Sequence, residues 1–528
     1  MDIRRDRLRL DRPEPGVSVV SGTAAADRDV VVIGSGLGGL SAAALLARAG
    51  LRVAVVERND HPGGYAQAFR RGPYVFDPAI HFTMDAGPRG FAPEMLAHLG
   101  VADQVTFAPT GHTYSARFPG LTIDAIPGRA AFLAAHQRLF PADADGLARL
   151  FDMRRDIFAQ LAALPQKVGP RGIEDAVAAA PLVFRYRMST LNDVLGEYLA
   201  DPRCRAAIGS IWPYVGSPPS RMSFLLFNQM LETLHTGTYY PLGSFQTLAD
   251  ALVAAVSQNG GEVLLGSEVT KIVVDDGRAA GVQTADGQVL GARAVISNAD
   301  AYQTFGELVG WDLVPDRLRQ RLVRGCLAPS AFALYGVLSA DPAELGLAHE
   351  NFVFTTWDHD ETWADIQQSR PGGIWLSVPT IVDPSLAPPG THLAIVTSLA
   401  PARADGTWRQ LRDSCARALL DAVEQGIPGV RDAFETVEVA TPDTLHQYTR
   451  NRGGAAYGWE NIPSQTASKR LAHRTPLDGL FLSGHWSEEG TSSLRALTSG
   501  RAVAAMVAAD LGCPGSVPDL GGPSFRPN

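Results

Sequence analysis

The chain has 528 residues, of which 45% are hydrophobic and 19% charged, and a formal net charge of −9. That length exceeds what one hydrophobic core sustains, so at least two lobes are expected, and the composition excludes a disordered chain. With 55 acidic against 46 basic residues and no extended Lys/Arg stripe, nucleic acid is excluded as a partner.

Positive charge rests almost wholly on Arg, with Lys only at Lys167, Lys271 and Lys469, a bias that reads as high-GC, bacterial coding. Cys204, Cys326, Cys415 and Cys513 lie far apart without a C-x-x-C pair. Neither a metal knuckle nor a disulfide framework is signalled, no metal is expected, and a reducing cytoplasm fits. The stretch from Met1 to Asp27 lacks an apolar h-region and reads as a disordered leader covering 1–28, not a secretory signal. No run of about 18 apolar residues occurs, so a spanning helix is excluded, while peripheral membrane contact stays open.

In chain order, Val30 to Ile33, a glycine turn and the Ala/Leu-rich stretch from Leu40 to Ala49 predict strand, turn and helix. Gly50 stops the helix, and Arg52 to Val56 predicts a second parallel strand ending at Glu57, completing a βαβ unit. From about Pro93 to Arg187 the periodicity is helical, with helices over Ala130–Leu139 and Leu147–Leu164. The Ile208–Tyr240 stretch clusters Trp212, Tyr214, Met222, Phe224, Leu225, Leu226, Phe227 and Met230 around three prolines. It reads equally as the lining of a greasy cavity and as core between lobes. A helix over Leu248–Val256, strands over Gly261–Leu265 and Glu268–Val274, and a hairpin-rich section to Ile296 follow. A mixed lobe runs from Tyr302 to Glu438, then a strand at Gly479–Leu482 and a final helix at Ser493–Leu511.

Gly34-Ser35-Gly36-Leu37-Gly38-Gly39 fits G-x-G-x-x-G between a strand and a helix, and Glu57 stands 18 positions past Gly39. Gly34 permits the turn, Gly36 admits the pyrophosphate to backbone, Gly39 packs helix on strand, and the helix N-terminus stabilises the anion. Glu57, next to Arg58, would accept from the adenosine ribose hydroxyls. A second cluster, Gly63-Gly64, follows, and no second G-x-G-x-x-G serves a separate nicotinamide domain, which favours a tightly held FAD.

At this point the chain resembles the phytoene desaturase, carotenoid isomerase and retinol saturase branch of the FAD-dependent amine-oxidase-like superfamily. The matching residues are Gly34–Gly39, Glu57, Gly63-Gly64, Phe76–His81, Tyr240–Ser244, Gly260–Val263, Ile296–Ala299, Asp383–Pro388 and Gly479–Trp486. The resemblance implies an α/β fold: a Rossmann-type FAD-binding domain of the two-dinucleotide-binding-domain flavoprotein type, with a discontinuous mixed α+β substrate domain. Its expected division is 29–110, 225–300 and 440–512 for the FAD domain, 111–224 and 301–439 for the substrate or cap domain, and 513–528 for a flexible tail. It also implies that Val269 faces the adenine, that Gly63-Gly64 lie near the ribityl and pyrophosphate, and that Gly484 and the turn to Gly490 approach the isoalloxazine. Relatives carry a glycine-rich run where this chain reads Ser487–Ser493, so Glu488 and Glu489 could intrude there and bind a cationic or polar substrate group.

A flavin takes hydride at its own N5, leaving the protein orientation and at most one proton transfer. His81, His485 and Tyr457 are the candidate catalytic groups, each also readable as a packed structural side chain. Trp459 is a further candidate for the cavity wall. The leading expectation is a desaturase or saturase moving hydride between flavin N5 and an apolar polyene or isoprenoid, with oxygen, a quinone or NAD(P)H closing the cycle. A reduced-flavin cis–trans isomerase, an oxidase of an amine or secondary-metabolite intermediate, and a non-enzymatic prenyl-carrying escort are the alternatives.

Overall fold

A computed structural model describes residues 28–163 and 172–520, so the expected leader up to residue 27 and the tail beyond 520 lie outside the described residues, while Arg28, expected as the leader's last residue, opens the first strand. The Val-rich strand Arg28–Ile33 is the centre of a seven-stranded sheet. Glu262–Leu264, Val53–Val56, Arg28–Ile33, the end of Val289–Ser297 and Leu480–Leu482 run parallel in that order. Val269–Asp275 and Arg278–Thr284 extend the sheet as an antiparallel hairpin. The parallel strands are short apolar runs because both faces are covered.

On one face lie the helices Leu37–Arg48, Phe245–Gln258 and Ser493–Asp510. The first and last touch at small residues: a Cβ on Gly500 would stand 1.8 Å from Ser41 Oγ and 2.5 Å from Gly38 O. Ser41 Oγ donates to Leu497 O at 3.2 Å. On the other face, the helical segments Gln303–Gly310 and Asp316–Arg324 pack Phe305, Leu308, Leu318 and Leu322 against Val31, Ala54 and Val295. The start of the expected tail is packed as well, with Val517 buried and Leu520 against the same core as the final helix.

The second sheet also has seven strands, in the order Phe434–Ala440, Ser330–Leu338, His392–Ala400, Ile374–Ser377, Glu350–Val353, Tyr114–Phe118 and Leu121–Ala125. One face is covered by the helix Thr407–Gly426. The other meets a helical lobe built from Arg129–Leu139, Ala144–Ala163, Leu191–Tyr198 and Phe224–Leu234. The hairpin Tyr114–Ala125 corrects the helical reading of Pro93–Arg187. Only Leu121–Ala125 alternates exposed and buried residues; Tyr114–Phe118 is buried almost throughout and so carries no period-2 pattern to mark it as a strand.

Three sequence pieces that lie far apart lock the sheets together. Asp77 accepts from the Tyr240 hydroxyl and, at 3.0 Å, from the Phe245 backbone N–H, so it caps the helix that follows. Asp383 accepts from the Gly243 N–H at 2.5 Å. Burial pushes the Asp77 carboxyl up to about 7.

Candidate active site

One cavity of about 890 Å³ runs between the two sheets and the helical lobe. At one end it is lined by Gly34, Gly36, Leu37, Gly38, Glu57, Arg58, Gly63, Gly64 and Val269. Gly39 is the one turn glycine that does not line it; it sits beneath, where a Cβ would meet Gly34 O at 2.3 Å. This packing holds the helix start against the strand end. A Cβ on Gly36 would stand 2.6 Å from Asn298 Oδ1, so the backbone there leaves no room for a side chain.

Glu57 is buried and already oriented: Oε2 accepts from Ser35 N at 2.9 Å and Ser35 Oγ at 2.8 Å, and Oε1 from Asn59 N at 2.8 Å. A carboxylate offers about four acceptor positions, which leaves one on Oε1 for an incoming hydroxyl. Arg58 spends a guanidinium N–H on Gln447 O, and burial lowers its pKa. The cradle therefore presents backbone N–H groups, a helix N-terminus and a ribose acceptor, and these residues fit the adenosine and pyrophosphate of FAD.

The cavity continues past Gly484, His485, Glu488 and Gly490. Gly484 has φ +91°, and a Cβ there would stand 2.3 Å from Asn298 Nδ2. Asn298, whose Nδ2 donates to Ser483 O at 3.0 Å, thus joins the glycine turn to the Gly484 turn. The Ser487 side chain folds back to donate to Gly484 O at 2.6 Å instead of intruding. Glu489 is held by Arg495 at 3.6 Å; burial pushes its pKa up, but His473, Arg495 and Arg501 hold it below the usual carboxylate range. Glu488 is the carboxylate of this turn that lines the cavity without an ion-pair partner among the described residues.

His485 is pushed down to about 3 by burial and by Arg470, so it is a neutral imidazole, and its Nε2 has no hydrogen-bond partner among the described residues. Tyr457 donates to Pro213 O at 3.3 Å and lines the same wall; burial raises its pKa. Trp459 lies outside the cavity, packed in the core behind the first sheet.

One section of the cavity is largely apolar, walled by Phe82, Leu161, Val183, Phe184, Ile211, Leu225, Leu226, Met230 and Leu234, with Gln229, Thr233 and Arg187 among them. Both readings of Ile208–Tyr240 hold, for different residues. Trp212, Met222, Phe224 and Phe227 are core, whereas Tyr214, Leu225, Leu226 and Met230 face the cavity. His81 stands at this apolar part among Tyr214, Trp375, Ser377 and Glu350. Sequence reasoning singled out neither Glu350 nor Trp375 or Ser377, and it met Asn298 only within the matching segment Ile296–Ala299, without a role. Each is an isolated polar or aromatic residue in or just beyond a buried strand, with no spacing that marks it.

The described residues hold no group of three or more His, Cys, Asp or Glu able to ligate a metal. Nor is any described helix long and apolar enough to cross a membrane.

Comparison with known proteins agrees with this geometry. The sequence model described as "Flavin containing amine oxidoreductase" matches residues 37–508. The chain is 27% identical to a lycopene-forming phytoene desaturase from Pseudescherichia vulneris, over 92% of this chain and 100% of that protein. It is 27% identical to prolycopene isomerase 2 of an Oncidium hybrid cultivar, over 96% and 90%. It is 24% identical to all-trans-retinol 13,14-reductase of Danio rerio, over 87% and 82%. Among solved structures, an oxidoreductase from Methanosarcina mazei shares the fold with a TM-score of 0.62 at 19% identity, covering 92% of this chain and 99% of that one.

Proposed function

The chain belongs to the flavin containing amine oxidoreductase family and is an FAD-dependent oxidoreductase, and from that premise we propose that its substrate is an apolar polyene or isoprenoid handled as a desaturase or saturase handles one. The observation that carries this reading is the continuity of a single cavity from the dinucleotide cradle into a chamber walled by aliphatic and aromatic side chains. When bound, FAD supplies the two-electron chemistry at a carbon skeleton. In this reading Gly34, Gly36, Leu37, Gly38, Glu57, Arg58, Gly63, Gly64 and Val269 hold its nucleotide end, with Gly39 fixing the turn from beneath. Gly484 and Gly490 bring backbone to the ring. His485 and Tyr457 line the passage, and His81 acts on the substrate.

The chain's own part is to strip water from the substrate and align it along the chamber. Leu225, Leu226 and Met230 supply an apolar wall from the helix Phe224–Leu234, broken by Gln229 and Thr233 of the same helix. The relatives named for phytoene desaturation, prolycopene isomerisation and retinol reduction support a polyene. A reduced-flavin isomerase is the second reading, supported by the prolycopene isomerase similarity.

We further propose that 29–110, 225–300 and 440–512 form the cofactor half, and 111–224 with 301–439 the substrate half. The helices within 303–324 are exceptions that side with the cofactor half, because their apolar faces pack on the first sheet, and the helix Phe224–Leu234 is the reverse exception, its Phe227, Leu231 and Leu234 packing in the helical lobe of the substrate half. The electron partner is an external carrier (oxygen, a quinone or NAD(P)H), and the setting is a bacterial cytoplasm with peripheral membrane contact. The test is Leu226→Trp, which fills the chamber without touching the cradle. FAD content should match the parent protein while spectral perturbation by added polyene is lost. Retained FAD together with an intact polyene response would overturn the reading.

A further inference from the structure

Two polar residues, Gln229 and Thr233, interrupt the apolar wall that the helix Phe224–Leu234 gives the chamber. They stand 4 positions apart on one helical face, and the Thr233 hydroxyl donates to the Gln229 carbonyl at 2.9 Å, so its proton is held inside the helix. The Gln229 side chain is different. Its amide oxygen accepts from Arg495 Nη2 at 3.4 Å, which orients the amide and leaves the Nε2 N–H groups without a partner among the described residues.

Arg495 comes from the other side of the cavity. It lies in the first turn of the helix Ser493–Asp510, where Ser492 Oγ accepts its backbone N–H at 3.1 Å. The side chain lines the cavity and is 23% exposed, yet burial lowers its pKa, with Glu489 acting in the opposite sense. A guanidinium that is desolvated and still exposed shows that surface to the cavity and not to bulk water.

Its partners leave most of its donors open. A guanidinium carries five N–H groups in a planar fork. Glu489 Oε2 stands 3.6 Å from Nη1, an ion-pair contact too long for a hydrogen bond, and the bond to Gln229 is itself at the long limit. The remaining N–H groups have no acceptor among the described residues. Glu489 offsets the charge of Arg495, while Glu488 lines the cavity in the preceding turn without pairing with it. Arg495 and the Gln229 amide nitrogen therefore present donors with little net charge, which suits an oxygen that only accepts. An ammonium group brings further N–H groups and finds no acceptor on either.

We infer that Arg495 and Gln229 form a head-group station: a carbonyl or carboxylate oxygen on an otherwise apolar, unsaturated chain binds between the guanidinium and the Gln229 amide nitrogen, with the chain lying along Leu225, Leu226 and Met230. A carboxylate takes two parallel N–H bonds from the guanidinium fork, and a carbonyl takes one bond from each residue through its two lone pairs. The substrate class is thereby narrowed from polyene hydrocarbons to polyenes or isoprenoids that carry an oxidised end. A hydrocarbon that expels water from the chamber leaves these donors without acceptors, so the station discriminates against it. One member sits on the helix that walls the chamber and the other on the helix that begins just past the Gly490 turn. The bonds conjugated to the bound oxygen are therefore the ones held nearest that turn.

This inference rests on reading the chamber as a polyene site, so ligands of two kinds are tested, on FAD-loaded, oxidised protein and without turnover. Quenching of tryptophan fluorescence reads the binding of all-trans-retinal, all-trans-retinoate and axerophtene, the hydrocarbon with the same polyene chain. Calorimetry reads the binding of laurate and of dodecylammonium, which share a saturated chain and differ in the head. In the parent protein retinal and retinoate should bind about 10²-fold tighter than axerophtene, and laurate should bind tighter than dodecylammonium. Arg495→Met should erase both preferences. Gln229→Glu keeps the side chain's size and sets a carboxylate beside Arg495. It should weaken retinoate and laurate by at least about 10-fold, with FAD content and denaturation midpoint at the parent's values, which separates the effect from a folding defect in Arg495→Met. Equal binding of the three polyenes by the parent protein overturns the station and leaves the polyene reading standing, as does a preference that survives in both variants. If no polyene binds while laurate binds in an Arg495-dependent way, the polyene reading fails and the station stands. If neither polyene nor laurate binds, both fail.

Discussion

Glu350 and Asp77 make a testable statement about pH, because both are buried carboxyls whose folded pKa lies above the unfolded value. Such a group binds its proton more tightly in the folded state, so its stabilising share is complete below the unfolded pKa and is lost as pH rises through the folded one. For Glu350 that window runs from 4.5 to about 8, and for Asp77 from 3.8 to about 7. His81 and His349 act in the opposite sense, losing stability as pH falls below 6.5 toward about 3 and about 4. Toward pH 8, well above 6.5, these histidines are neutral in both states, so the carboxyls set the slope. We expect Glu350→Gln to flatten the fall in stability there by about 1.4 kcal/mol per pH unit, read from denaturation midpoints across the range. An unchanged slope would mean that the carboxyl is ionised in the fold. At this scale the dinucleotide cradle was legible, because a glycine spacing after a strand is a local pattern. Glu350 was not, because its meaning depends on residues 136 and 27 positions away.

The contact between the helices Leu37–Arg48 and Ser493–Asp510 is the element on which the cradle depends. Gly500 packs against Ser41 Oγ, Gly38 O and Ala42 N, so one methyl group forces the two helices apart. Gly500→Ala should destabilise the protein by about 1–3 kcal/mol and weaken FAD retention, since Gly38 lies in the cofactor turn. Gly196→Ala is the control: it lies in the helix Leu191–Tyr198 with its nearest neighbour at 3.6 Å, and should be neutral or stabilising by about 0.5–1 kcal/mol. Equal effects of the two changes would refute a specific role for the helix contact. Elements with a strong local period were readable, including the helices Arg129–Leu139 and Phe245–Gln258 and the strand Leu480–Leu482. The hairpin Tyr114–Ala125 was not, because its place is set by pairing with Glu350–Val353, more than 200 residues later in the chain.

At the scale of the whole molecule, two seven-stranded sheets are laced by a chain that crosses between them repeatedly, and the cavity is what that lacing encloses. The mixed α/β class and FAD as the cofactor followed from motifs in one sheet, whereas the second sheet is assembled from segments without a motif. The apolar stretch Ile208–Tyr240 illustrates the limit: hydrophobic spacing marked it as buried, but only the fold separates Phe224 in the core from Leu225 and Leu226 on the cavity wall. The central claim is that this cavity joins bound FAD to a polyene. Its most direct test is the visible spectrum of the purified, FAD-loaded protein under anaerobic conditions, first oxidised with phytoene and then dithionite-reduced with all-trans-retinol, against matched additions of putrescine. The account predicts that a polyene bleaches the oxidised flavin or restores colour to the reduced one, and that putrescine does neither. Bleaching by putrescine with no response to either polyene would contradict it.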